Sequence, residues 1–85
     1  NYPNPFNPTT TIKYELFQSS QVTISVYDML GRFVKTLVNS TQEPGVKTIQ
    51  WDAKDEQGNR ISAGVYIYKL KSGDFMETKE MILLK

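Results

Sequence analysis

The sequence predicts an all-β domain, an antiparallel sandwich of about seven strands without a helix. Two observations predict it. Apolar residues recur with period two in one segment after another, separated by turn-forming residues roughly every 8–12 positions. No window of about ten residues carries the 3.6-residue apolar period of a helix. The chain has 85 residues, which is the size of one domain with a modest core.

The first eight residues, 1–8, hold Pro3, Pro5 and Pro8. Proline fixes φ and lacks an N–H donor, so this stretch is neither helix nor central strand. It reads as an extended lead-in, with Tyr2 and Phe6 placed to pin it to a core, and the sandwich occupies 9–85. Ile12, Tyr14 and Leu16 alternate with polar residues over Thr11–Leu16, and Val22, Ile24 and Val26 do so over Val22–Tyr27. Asp28-Met29-Leu30-Gly31 forms a hairpin connection in which Gly31 supplies a positive φ. Arg32–Val38 returns as the third strand, followed by a polar loop over Asn39–Gly45. Lys47–Trp51 is the fourth strand. A long polar excursion over Asp52–Gly64 carries one short extended piece at Arg60-Ile61. Val65–Leu70 is apolar on both faces and reads as a central strand covered on both sides. Ser72-Gly73-Asp74 turns the chain into the last strand, Phe75–Leu84.

Composition excludes several functions. Ten basic and nine acidic residues give a net charge of +1 with no like-charge run, so no nucleic-acid footprint is present. The longest apolar run, Met81–Leu84, is far short of the roughly 20 residues that span a bilayer as a helix. There is no cysteine and no histidine, which removes Ser-His-Asp triads, Cys–His dyads and the usual zinc sites. No nucleophile, base and metal set can be assembled, so the expectation is a domain without catalysis and without a cofactor. The chain starts at Asn1 without Met or signal peptide and reads as a piece of something longer.

Asp52, Asp55 and Glu56 form the one acidic cluster, with Gly58 after it. Calcium needs several oxygen ligands and the spacing is not that of an EF-hand. The favoured reading is that Asp52 and Asp55 make Asx-turns that structure the loop around a positive-φ Gly58. Trp51, Tyr14 and Tyr66 are expected in the core rather than on a carbohydrate platform, while Phe17, Tyr27 and Phe33 are open to either use. Asn39-Ser40-Thr41 matches the glycosylation acceptor pattern.

Four blocks carry a resemblance. Tyr2–Thr10, with Pro3, Asn4, Pro5 and Phe6, resembles the opening motif of type A C-terminal sorting domains of the type IX secretion system. Val26-Tyr27-Asp28 with Gly31-Arg32 resembles that family's second hairpin. Trp51-Asp52 with Asp55 and Gly58, then Ser62–Tyr66, resembles its central block. Lys79–Lys85 resembles its terminal motif. Phe17 stands where a proline is often found. The resemblance implies an immunoglobulin-like fold at the end of a secreted cargo protein. It implies that an outer-membrane translocon reads the domain and that a sortase-like protease removes it. The cargo would lie N-terminal to it, pass through the periplasm and end at the cell surface or outside. Pro3, Asn4, Pro5, Phe6, Gly64, Val65, Tyr66, Lys79, Met81, Ile82, Leu83, Leu84 and Lys85 are then the candidate recognition residues. The Val-Tyr-Asp…Gly-Arg and Gly-Val-Tyr blocks also resemble the Ig-like domain of the flagellar hook-capping protein, so an assembly scaffold is the nearest alternative. A structural or carbohydrate-binding module of an extracellular enzyme is the other. Self-pairing through an edge strand is a further expectation.

Overall fold

In a computed structural model that describes residues 10–83, six antiparallel strands form two sheets, and no helix occurs among these residues. The strands are β1 (Thr10–Leu16), β2 (Ser20–Asp28), β3 (Phe33–Gln42), β4 (Gly45–Trp51), β5 (Gly64–Ser72) and β6 (Phe75–Leu83). One sheet is β1-β4 and the other is β3-β2-β5-β6. The lead-in and the last two residues lie outside the described residues.

Period two sets which side of each strand enters the core. Ile12, Tyr14 and Leu16 point inward from β1, and Val22, Ile24 and Val26 from β2, where all three are fully buried. Each such side chain contributes about 1.5–3 kcal/mol of transfer free energy. Ile12, Tyr14, Leu16, Val22, Ile24, Val38 and Leu70 make one half of the core. Val26, Trp51, Ala53, Tyr66 and Leu83 make the other.

Three expectations need correction. The loop expected over Asn39–Gly45 is mostly strand, because β3 keeps pairing with the start of β2 as far as Ser20↔Gln42. Side chains support this extension: Gln21 Nε2 donates to Asn39 Oδ1 at 2.8 Å, and the Tyr14 hydroxyl donates to Gln42 Oε1 at 2.6 Å. Asn39 of the acceptor pattern therefore sits on a strand. The short extended piece at Arg60-Ile61 is an isolated bridge, Lys54↔Arg60, rather than a seventh strand. Finally, β5 is central but has only one covered face. Tyr66 and Leu70 are buried while Val65 and Lys69 are exposed, because the two-stranded sheet lies on one side only.

β3 also departs from simple alternation. Its register with β2 shifts between Ile24/Ser25 and between Val26/Tyr27, leaving Leu37 and Val34 as extra residues. Such bulges re-aim a side chain and increase local twist. Here both extra residues pack against the Trp51 half of the core.

The β2–β3 connection is organised by Asp28. Its carboxylate accepts the Leu30 N–H (2.9 Å), the Arg32 N–H (2.9 Å) and Arg32 Nε–H (2.8 Å). Gly31 turns the chain at φ 83°. The Arg32 backbone N–H chiefly holds the Asp28 carboxyl below its ordinary pKa of 3.8; the Arg32 side chain and Leu30 N–H add to this against the opposing effect of burial.

Trp51 is 1% exposed, and Trp51→Ala should cost about 3–5 kcal/mol. A domain of this size has roughly 4–13 kcal/mol in total, so urea titration should show most of the stability gone, with Trp51→Phe losing much less. For Asp28 the sign is set by its lowered folded pKa. The carboxylate's contribution is complete above pH 3.8 and is lost as pH falls through the folded value. The urea midpoints of wild type and Asp28→Asn should therefore differ most near neutrality and converge below about pH 3.8.

Candidate recognition surfaces

Among the described residues no group of three or more His, Cys, Asp or Glu is placed to hold a metal. Nor is any polar or charged side chain buried.

The acidic loop closes on itself. Asp55 Oδ1 accepts the Gln57 N–H at 3.0 Å and the Asn59 N–H at 2.9 Å, and the Gly58 N–H returns to Asp55 O at 3.0 Å. Gly58 has φ 85°. Asp52 is exposed and takes part in none of these bonds. Glu56 reaches across to the bulged edge of β3. Its N–H donates to Val34 O at 3.1 Å, and its carboxylate accepts the Thr36 N–H at 2.8 Å. The loop thereby covers part of an otherwise open sheet edge, a common way of blocking unwanted strand pairing.

Sheet register joins two candidate blocks that are distant in sequence. Gly64 pairs with Leu83, Val65 with Ile82, Tyr66 with Met81, and Tyr68 with Lys79. Alternation then divides them. Tyr66 and Leu83 are buried at 7% and 3%, and Met81 packs against the core. Val65 and Ile82 are exposed side by side on the outer face, at 37% and 66%. Lys79 points to the inner side, beyond the cover of the small sheet, where its Nζ lies 3.6 Å from Glu77. Pro3, Asn4, Pro5, Phe6, Leu84 and Lys85 lie outside the described residues.

Sequence reasoning left Phe17, Tyr27 and Phe33 open between core and surface; Phe17 and Phe33 are exposed, and Tyr27 is half-buried on the outer face. The Tyr27 and Phe33 rings meet edge to face with centroids 6.0 Å apart, and Lys69 Nζ sits 4.8 Å from the Tyr27 centroid. Ile67 is the partner of Tyr27 on β5. Phe33, Tyr27, Ile67, Val65 and Ile82 thus run across all four strands of the larger sheet. The apolar outer positions of β5 were the signal for this surface. At one end of the sandwich, a shallow cleft of about 350 Å³ lies between the end of β1 and the β5–β6 turn, flanked by exposed Phe17 and Phe75.

The architecture has known counterparts. FlgD from P. aeruginosa superposes with a TM-score of 0.71 at 26% identity, over 95% of this chain and 63% of that one. FlgD from Xanthomonas campestris, a protein of hook capping in flagellar assembly, gives 0.70 at 23% identity over 91% of this chain and 56% of that one. Dimeric latent PorU from Porphyromonas gingivalis gives 0.66 at 23% identity, over 95% of this chain but 8% of that one. The chain thus spans less than two thirds of each of these proteins. No curated protein matches it in sequence. The sequence model of the FlgD Ig-like domain matches residues 6–74, from the lead-in to the β5–β6 turn. With that match covering most of the chain, and with two sheets of antiparallel strands in place, the chain belongs to the FlgD Ig-like domain family.

Proposed function

We propose that this Ig-like domain is a non-catalytic address, read on its surface by the type IX outer-membrane translocon and carried by an exported cargo. The observation that carries this reading is the register of β5 with β6. It sets the Gly64–Tyr66 block against Met81–Leu83, so two separate sorting-domain resemblances become one continuous patch. The terminal block also lies beyond residue 74, where the sequence match to the FlgD Ig-like model ends, although the superposition on P. aeruginosa FlgD covers 95% of the chain. Val65 and Ile82 are the side chains available to a reader on the outer face, and Lys79 is exposed on the opposite side of the sheet. Cleavage by a sortase-like protease and a surface or secreted destination belong to the same reading.

A second reading has its own support. The family match and the 26% identity with P. aeruginosa FlgD favour an assembly scaffold of the hook-capping kind.

A reporter carrying a Sec signal and this chain at its C-terminus separates the two. In a host with the type IX system, the fusion should reach the cell surface or medium. Deleting residues 79–85 should leave it in the periplasm, and the double change Val65→Glu with Ile82→Glu, which alters only exposed side chains, should do the same. Export that survives these changes sinks the address reading. Hook assembly supported by this domain, when exchanged for the corresponding domain of a FlgD, would favour the scaffold.

A further inference from the structure

We propose that the domain pairs with a second copy of itself along the free edge of β6, antiparallel and two-fold symmetric about Thr78. The inference does not rest on the address reading. Among the described residues, β6 pairs with β5 alone, and nothing covers its other edge as Glu56 covers part of that of β3.

The hairpin fixes which backbone groups face that edge. Gly73 and Asp74 form a two-residue loop between Ser72 and Phe75, with Gly73 at φ 61° in the first central position, the pattern of a type II′ turn. The turn bond from the Phe75 N–H to Ser72 C=O makes that pair a hydrogen-bonded one. Along an antiparallel ladder the two pair types alternate. Phe75, Glu77, Lys79 and Met81 therefore spend their backbone groups on β5. Met76, Thr78, Glu80 and Ile82 direct theirs to the open edge.

Side chains then select one register. With Thr78 opposite its own copy, Glu77 faces Lys79 of the second copy and Lys79 faces its Glu77. Phe75 faces Met81 in the same way. These are the closely approaching, non-hydrogen-bonded pairs of the new ladder. Centring on residue 77 or 79 instead would oppose Glu to Glu or Lys to Lys. Glu77 and Lys79 side chains are 39% and 57% exposed, so both remain reachable. Phe75, at 57% exposure, is an apolar side chain that gains cover. The expected product is a continuous eight-stranded sheet, four strands from each copy.

Sedimentation velocity of the 85-residue chain across a concentration series tests this. Wild type should show a monomer–dimer equilibrium. Glu77→Lys and Lys79→Glu should each weaken it by about tenfold, since each creates two like-charge contacts. The double exchange, Glu77→Lys with Lys79→Glu, should restore it. Thr78→Pro removes the central edge-facing N–H without touching the β5 bonds and should abolish the dimer, while Trp51 fluorescence reports an intact core. A wild type that stays monomeric overturns the proposal. So do single variants that dimerise like wild type, a double exchange no better than the singles, or a folded Thr78→Pro chain that still dimerises.

Discussion

The contact between Trp51 and Tyr66 governs more of this domain than its own burial accounts for. The two rings meet edge to face, 5.7 Å between centroids and 76° between planes, and join the end of β4 to the start of β5. Each ring keeps a polar tip. Trp51 Nε1–H donates to Lys54 O at 3.0 Å, and the Tyr66 hydroxyl donates to Ser62 O at 2.7 Å. Both carbonyls belong to the long excursion between the two strands. The aromatic pair therefore fills one half of the core and holds both ends of that loop. Ala53 is buried in the same half of the core at φ 64° and 2% exposure, a conformation that costs an L-residue roughly 1–2 kcal/mol. With its ends fixed, the loop delivers Glu56 to the bulged edge of β3. Core packing and edge protection are thus one arrangement.

This explains what was legible in the sequence. Alternation gave β1 and β2 almost residue for residue, because each has one buried and one exposed face. It also placed Trp51, Tyr14 and Tyr66 in the core. It failed on β3, where Phe33-Val34 and Leu37-Val38 break the alternation. The break was itself the signal of two bulges, but only the pairing partner reveals it. The polar stretch Asn39–Gln42 reads as a loop because it has no apolar alternation: Asn39, Ser40 and Thr41 are exposed, and only pairing with β2 makes the stretch a strand. Side-chain bonds of Asn39 and Thr41 to Gln21, and of Gln42 to Tyr14, add to that pairing. The outer patch around Tyr27 and Phe33 was obscured for a related reason. Apolar residues on both faces of β5 suggested a second covering layer, and the domain supplies only one.

The candidate site was legible as blocks and not as a surface. Sequence resemblance marks Gly64–Tyr66 and the terminal residues separately, and it cannot say that they pair. Register does, and it also halves the set available to a partner, since alternate residues must serve the core. Tyr66 and Leu83 are constrained by packing whatever the domain's role. A reader of this surface has Val65, Ile82 and their outer-face neighbours. The FlgD Ig-like sequence match ends at the β5–β6 turn, while the shared fold extends over 95% of the chain.

The two long edges of the larger sheet illustrate a conflict that any sheet with open edges must resolve. An open edge is a hazard because it pairs with strands indiscriminately. Covering it, as Glu56 does on β3, also hides the residues along it. On β6 the sequence places Glu77 and Lys79 at inward-facing positions, where an uncovered charge disfavours a generic apolar strand. The same two charges are complementary to their own copy in one register alone. The edge is thus restrictive rather than closed: it rejects most strands and accepts one arrangement. A partner that reads β6 along its edge must then compete with a second copy for the same backbone groups. A partner that reads Val65 and Ile82 from the outer face need not, because those side chains stand perpendicular to the ladder and stay accessible when it is paired.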